Sequence, residues 1–191
     1  GKLGMDGSKV WDAYKNGDQA TVRKQTEEII NQIVGDQSNQ YKDYNGDGKI
    51  EVTPSANISS NGYGMFPNGK QNGYIQDTEL QAKLAADAND STSNIRSNSQ
   101  NLKICVQNTN ERLRLILEAA LKLYETPFGS TMESIITNLG TLGNALLHGN
   151  DTNGNGQIEH IVAECGADDA YNDAGFMADM LLYRGAERIP P

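Results

Sequence analysis

Basic residues, histidine and cysteine are scarce in this chain of 191 residues. The 16 lysines and arginines are outnumbered by 25 aspartates and glutamates, which gives a formal net charge of -9. Such a negative charge disfavours partners that are themselves anionic, so nucleic acid and acidic membrane surfaces are excluded as ligands. The sequence also lacks an apolar run of about 18 residues, which excludes a membrane-spanning helix.

Sequence signatures of catalysis are missing as well. The chain has no phosphate-binding P-loop, no dinucleotide-binding glycine motif and no nucleophile elbow. The two histidines, His148 and His160, flank one loop segment, and we interpret them as solvated loop residues, with a transition-metal pair as the alternative. Helical acids such as Glu27, Glu28 and Asp173 fit the wet faces of helices, with a carboxylate cluster in the core as the alternative. The sequence therefore predicts a protein that is not an enzyme.

A nine-residue pattern is present twice, at residues 43–51 and 151–159. Both copies place oxygen-bearing side chains at positions 1, 3 and 5, glycine at position 6 and glutamate at position 9. Alternate oxygens converging from a tight turn are what calcium prefers, and position 7 adds a backbone carbonyl. The predicted ligands are Asp43, Asn45, Asp47, Lys49 and Glu51 in the first copy, and Asp151, Asn153, Asn155, Gln157 and Glu159 in the second. A metal-free Asn/Gly turn is the alternative, and the agreement of two copies argues against it.

The two loops, 43–54 and 151–162, differ from an EF-hand at position 12. The bidentate glutamate expected there is replaced by Pro54 and Val162. We therefore predict that the glutamate at position 9 closes the coordination shell in each loop. The isoleucine at position 8 is predicted to point into an apolar layer and hold the loop to the fold.

The formal ligand charge differs between the loops. The first carries three acids and the second two, so we expect the first to bind calcium more tightly. Both are expected in the range of extracellular modules, about 10⁻⁴ to 10⁻³ M, or tighter if the loops are rigid. The predicted cofactor is thus calcium, two ions per chain.

The two cysteines, Cys105 and Cys165, predict one disulfide, which would stabilise the fold by about 4 kcal/mol in the chain-entropy model. Two buried free thiols are the alternative. Weak calcium loops fill only where calcium is plentiful, and disulfides persist in oxidising compartments. We therefore expect an extracytoplasmic location: secreted, cell-surface or periplasmic. The chain begins with Gly1, which suggests a processed or tagged chain whose export signal has been removed.

Apolar periodicity predicts an all-α fold in one domain, residues 1–191. Between the helices, residues 55–76 are rich in glycine and asparagine and are predicted to form an irregular loop folded over the first calcium loop. We expect an up-and-down bundle of about four main helices. The predicted helical segments are 8–14, 18–34, 77–88, a long helix ending near 125, 130–146 and 168–184.

Six short segments together carry a family resemblance: residues 26–31, 44–48, 61–64, 72–75, 153–159 and 177–180. In these segments the chain resembles a family of exported bacterial proteins of unknown function that is common in Chloroflexi and distantly imelysin-like. The resemblance implies a helical calcium-binding domain at the cell exterior. Members often carry histidines in the first long helix, where this chain has residues 25–28 without histidine, so a transition-metal role is not carried over.

These observations predict a non-catalytic, exported, calcium-stabilised module for structure or interaction. A subunit of a surface layer, filament or envelope complex fits this description, with other proteins or further copies of the chain as partners. The alternative is a periplasmic or surface protein of imelysin-like type that handles a metal or small ligand in its bundle core.

Overall fold

A computed structural model describes residues 2–52, 64–67 and 72–179, with the backbone alone for residues 2–6. The described residues form six helices and no strand, so the predicted all-α class is confirmed. None of these helices is both long and apolar enough to cross a membrane. The helices are α1 (Lys2–Lys15), α2 (Gln19–Val34), α3 (Tyr74–Asp87), α4 (Ser93–Glu125), α5 (Thr131–His148) and α6 (Ala167–Met177).

Local sequence explains where the main helices begin and end. Asp18 caps α2 by accepting a hydrogen bond from the Thr21 amide at 3.0 Å, as N-cap acids do. Gly35 ends α2 with a φ of 75°, a left-handed conformation that glycine adopts without strain. Thr92 caps α4 in the same way as Asp18 caps α2, and Pro127 follows the end of that helix.

Helix α4 is the centre of the fold, since it contacts α2, α3, α5 and α6. Its C-terminal half shares the main hydrophobic core with α1, α2 and α5. The largest fully buried apolar side chains of this core include Ile29, Ile30, Ile33, Leu113, Leu123, Met132 and Ile136. Burying a side chain of this size contributes about 1.5 to 3 kcal/mol, so this core supplies much of the stability.

The N-terminal half of α4 forms a second, smaller core with α3 and α6. Its buried members are Ala82, Leu102, Cys105, Val106, Cys165 and Ala170. The predicted disulfide is confirmed: Cys105 on α4 is bonded to Cys165, which lies just before α6, across a sequence separation of 60 residues.

Three predicted boundaries are wrong. Helix α1 runs from Lys2 to Lys15, so it is longer than 8–14, and at Gly7 it lies against Gly140 of α5, where a Cβ would be in ordinary contact, 3.6 Å from Gly140 Cα. Helix α3 begins at Tyr74, so the irregular segment predicted at 55–76 ends earlier. Helix α6 ends at Met177, and the rest of the predicted 168–184 helix lies largely outside the described residues.

The described part of the irregular segment packs on the end of α2. The amide of Met65 donates to the Ile33 carbonyl at 2.8 Å, and that of Tyr74 donates to the Gly64 carbonyl at 3.1 Å. A Cβ on Gly64 would lie 2.4 Å from the Val34 backbone, which is why glycine is needed there. Residues 53–63 and 68–71, and with them most of the predicted loop, lie outside the described residues.

Candidate metal-binding loops

The first loop, residues 43–51, is folded around its own side-chain oxygens. The carboxylate of Asp43 accepts hydrogen bonds from the amides of positions 4 and 6, at 2.6 and 2.8 Å. Asn45 and Asp47 each accept from the amide two residues further along, at 2.9 Å. These local side-chain bonds hold the backbone in a tight turn and orient the oxygens of positions 1, 3 and 5.

The second loop, residues 151–159, has the same hydrogen-bond frame. Asp151 accepts from the amides of positions 4 and 6, both at 2.7 Å. Asn153 and Asn155 accept from the amides two residues further along, at 3.0 and 2.8 Å. In both loops the glycines at positions 4 and 6 have φ between 74° and 85°. The two sequence copies thus adopt one local structure.

Position 9 behaves differently in the two loops. Glu51 pairs with Lys24 of α2, whose Nζ lies 3.2 Å from Oε1, and this hydrogen bond raises the pKa of Lys24. Glu159 instead accepts from the side-chain amides of Asn153 and Asn155, both at 2.8 Å, so it lies across its own loop. The role of position 9 as the closing ligand remains a prediction.

The predicted apolar attachment of the loops is wrong. Ile50 and Ile158 at position 8 are 45% and 38% exposed, so neither inserts into a buried layer. Each loop is held instead by a buried carboxylate that bonds its backbone. In each loop the side chain of position 8 faces solvent, whereas the backbone amides of positions 3 and 9 face the buried carboxylate.

Glu27 of α2 holds the first loop. Its side chain is 0% exposed, and its carboxylate accepts from the amides of Tyr44, Asn45 and Glu51 at 3.0, 3.1 and 2.8 Å. The prediction that Glu27 lies on a solvated helix face is therefore wrong. A signal was present, because Glu27 is three residues before Ile30 and seven before Val34, on the apolar stripe of α2.

Glu164, which is not among the predicted site residues, holds the second loop. It is also 0% exposed, and it accepts from the Asn153 amide at 3.2 Å, the Thr152 hydroxyl at 3.1 Å and the Glu159 amide at 3.0 Å. It lies in the short turn before Cys165, where no periodicity distinguishes a buried acid from an exposed one.

Two side chains of α4 support the turn that carries Glu164. Arg112 donates to the carbonyls of residues 163, 164 and 165 at 2.6 to 2.7 Å. Burial lowers the pKa of Arg112, and the charge of Asp169 opposes this effect. Asn108 donates to the Ile161 carbonyl at 2.8 Å. The carbonyls of this turn, buried at residues 164 and 165, thus find donors on the neighbouring helix, as buried polar groups must.

Each of the two histidines contacts a different aspartate of α6. Nδ1 of His148 lies 2.7 Å from Oδ2 of Asp168, and Nε2 of His160 lies 3.1 Å from Oδ2 of Asp173. Asp173 is 2% exposed, and its burial raises its pKa, with His160 acting in the opposite direction. Glu27, Glu28 and Asp173 are all buried, so the prediction that they lie on solvated helix faces is wrong. Glu27 and Glu28 lie on α2, whereas Asp173 lies on α6.

One other group of potential ligands is present in the described part of the chain. Ligand atoms of Cys105, His160 and Asp173 lie within 4.8 Å of one another. Because Cys105 is bonded to Cys165, its sulfur is not a thiolate, and only a thiolate is a strong metal ligand. The described carboxylates of the nine-residue loops do not form such a group of three; the second loop has only two, Asp151 and Glu159, and the other predicted ligands there are amide and backbone oxygens.

No protein-family model, curated protein or solved structure matches this chain. The potential metal ligands in both loops are carboxylate, side-chain amide and backbone oxygens. Such a ligand set suits hard cations such as calcium better than zinc or copper.

Proposed function

We propose that this protein is a non-catalytic, exported module that binds two calcium ions in the loops 43–54 and 151–162 and serves structure or interaction. The observation that carries the proposal is the repeated frame: one set of side-chain-to-amide bonds recurs in two loops 108 residues apart. A turn that served only to reverse the chain would not require the same oxygens at positions 1, 3 and 5 in both copies.

The position of each loop supports a structural role for the ions. The first loop follows α2, and its Tyr44 packs edge-on against Tyr124 of α4, with ring centroids 5.1 Å apart. The second loop connects α5 to the disulfide-bonded turn before α6. An ion in either loop would therefore fix a connection between helices, in an up-and-down bundle of four main helices as the sequence predicts.

The surface around the second loop supports an interaction role. A groove of about 770 Å³ lies between α4, α5 and this loop, and Leu115, Leu142 and Val162 are among its lining residues. Val162 is 82% exposed and Leu115 is 41% exposed. Exposed apolar groups gathered in one place favour association with a protein, either another copy of the chain or a further component of a surface layer, filament or envelope complex.

Thermal unfolding in chelator, calcium, magnesium and zinc tests the calcium proposal. We expect calcium to raise Tm at millimolar concentration more than magnesium does, since magnesium demands a stricter octahedron. Zinc or copper binding with fixed stoichiometry to the calcium-saturated protein would instead favour the imelysin-like alternative. An equal Tm in chelator and calcium would contradict the proposal.

The variants Asp43→Asn and Asp151→Asn locate the effect. Asparagine keeps one acceptor oxygen for the loop amides but removes a charge, so each variant should lose much of the calcium-dependent rise in Tm. The exposed Asp12→Asn on α1 is the matched control and should keep the full rise.

Light scattering over a range of protein concentration, with and without chelator, tests assembly. Growth in mass with concentration supports the role as an assembly subunit. A monomer that stays unchanged at every concentration in both conditions would count against it.

A further inference from the structure

Neither loop has a carboxylate at the position where an EF-hand has its bidentate glutamate. Pro54 occupies position 12 of the first loop, and Val162, which is 82% exposed, occupies it in the second. Each loop nevertheless has one additional carboxylate against its backbone, delivered from outside the nine-residue pattern. These are the fully buried Glu27 and Glu164.

The two glutamates occupy equivalent places. Each accepts from the amides of positions 3 and 9, with distances between 2.8 and 3.2 Å. Each also accepts from position 2, through the amide of Tyr44 in one loop and the hydroxyl of Thr152 in the other. Yet Glu27 precedes its loop in the chain and Glu164 follows its loop. Chain connectivity therefore does not explain why both glutamates bond the same positions of their loops.

The charge of these glutamates has no cationic partner in the described part of the chain. No lysine, arginine or histidine there lies within 4.0 Å of either carboxylate. Arg112 bonds the backbone carbonyl of Glu164 and not its side chain. Glu27 gains only a long contact of 3.5 Å from the Asn31 side chain besides its amide donors.

Two buried, unpaired negative charges are costly, and proteins keep such charges where they are paired or coordinate a metal. Amide donors satisfy part of each carboxylate, which can accept about four hydrogen bonds, but they carry no formal charge. Both carboxylates also lie against a turn whose remaining oxygens form the ligand set of a hard cation. A cation in the turn would neutralise the buried charge.

We propose that Glu27 and Glu164 are calcium ligands that supply the carboxylate missing from position 12. This inference rests on the proposed function and deepens it. The formal ligand charge then rises from -3 to -4 in the first loop and from -2 to -3 in the second. It also links the first ion to α2 and the main core, and the second ion to the disulfide-bonded turn.

Calcium titration by calorimetry of Glu27→Gln, Glu164→Gln and the parent tests the inference. Glutamine keeps an oxygen acceptor but removes the charge and one oxygen, so each variant should bind calcium at least about tenfold more weakly at one site. The other site should be unchanged. Glu118→Gln, at an exposed position of α4, removes the same charge and should bind like the parent.

Terbium luminescence separates a ligand from a purely structural anchor. Tyr44 is adjacent to the ligand at position 1 of the first loop, so excitation of tyrosine should report terbium bound there. Loss of a bidentate carboxylate should open about one or two coordination places to water, which the lifetimes in H₂O and D₂O count. We expect this gain in Glu27→Gln and not in Glu164→Gln. An unchanged water count in Glu27→Gln would overturn the ligand role at the first loop.

The conservative variants Glu27→Asp and Glu164→Asp cover the case in which a glutamine variant fails to fold. They keep the charge but shorten the reach, so they should bind two calcium ions with reduced affinity. Two ions at parental affinity in every Glu27 and Glu164 variant that folds would overturn the inference and leave the proposed function intact. A parent protein that binds no calcium would overturn both.

Discussion

The two loops share one local structure but are held in place by different means. The side-chain hydrogen bonds that hold the first come from α2, where Glu27 and Asn31 bond the loop and its flanks, and Tyr44 packs against Tyr124 of α4. The second depends on three separate contributions: Glu164 from the turn that follows it, Asn108 and Arg112 from α4, and the disulfide. The feature common to both is a fully buried carboxylate bonded to positions 3 and 9.

The difference indicates which loop depends more on an ion. The disulfide and the Arg112 contacts restrain the second loop whether or not a cation is present. The first loop has no covalent restraint within the described residues, and its Glu51 is paired with Lys24 of α2. We therefore expect the ion to order the first loop more than the second. Substitutions that weaken the restraints of either loop should change this difference.

Removing the disulfide has the largest expected effect. The double variant Cys105→Ala, Cys165→Ala should lower the free energy of unfolding by about 4 kcal/mol, as expected for a closed loop of 60 residues. Urea unfolding in calcium and in chelator measures the loss. Calcium should raise the free energy of unfolding of this variant by more than it raises that of the parent, because the second loop of the variant relies on its ion. An equal calcium effect in variant and parent would show that the disulfide does not restrain the second loop.

Replacing the buried arginine has the next largest effect. Arg112→Lys cannot reach three carbonyls at once, so it should cost about 2 kcal/mol of stability by leaving buried acceptors unpaired. Arg23→Lys is the matched control. Arg23 also bonds three carbonyls, those of Leu123, Tyr124 and Thr126 at the end of α4, but it is only partly buried, so about 1 kcal/mol is expected. A smaller loss for Arg112→Lys than for its control would refute the role assigned to this contact.

Exchanging one charge between the loops should change their order of affinity. Asn155→Asp gives the second loop the ligand set of the first at positions 1, 3 and 5, and should tighten its calcium site by about tenfold. Asp47→Asn makes the opposite change in the first loop. Calorimetric titration of both variants checks the expectation. Unaltered affinities would mean that position 5 does not face the ion.

The smallest expected effect is a pH dependence near the disulfide. Burial raises the pKa of Asp173 above its ordinary value of 3.8. The folded state therefore holds this proton more firmly than the unfolded state does. The resulting stability is complete below pH 3.8 and is lost as the pH rises through the folded-state pKa. Asp173→Asn should flatten this fall in urea unfolding, whereas the exposed Asp168→Asn should not.

The fold class and the disulfide were predictable because they depend on strong local signals. Sustained three-to-four spacing of apolar residues predicts helices such as α4, and two cysteines in a chain with calcium-type loops predict one bond. Boundaries were less accurate. The longer α1 includes Gly4 and Gly7, and glycine has a low helix propensity, so local sequence did not predict its first turns.

The nine-residue pattern predicted the loop side chains that the structure gathers into one frame, but not what holds each loop. The isoleucine at position 8 was expected to be buried, and it is exposed. The burial of the two glutamates was not predicted, for two reasons. Glu27 is a charged residue within the apolar stripe of α2, and charged residues are usually exposed. Glu164 lies in a turn, where no apolar periodicity indicates burial. Which acid is buried depends on the long-range packing of loop against helix.

The most direct test of the central claim is the number of calcium ions that one chain binds, measured by equilibrium dialysis of the chelator-treated protein. We predict two ions per chain, falling to one in Asp43→Asn and in Asp151→Asn at calcium concentrations near the parental Kd. No bound calcium, or binding that neither variant reduces, would contradict the claim that these loops are calcium sites.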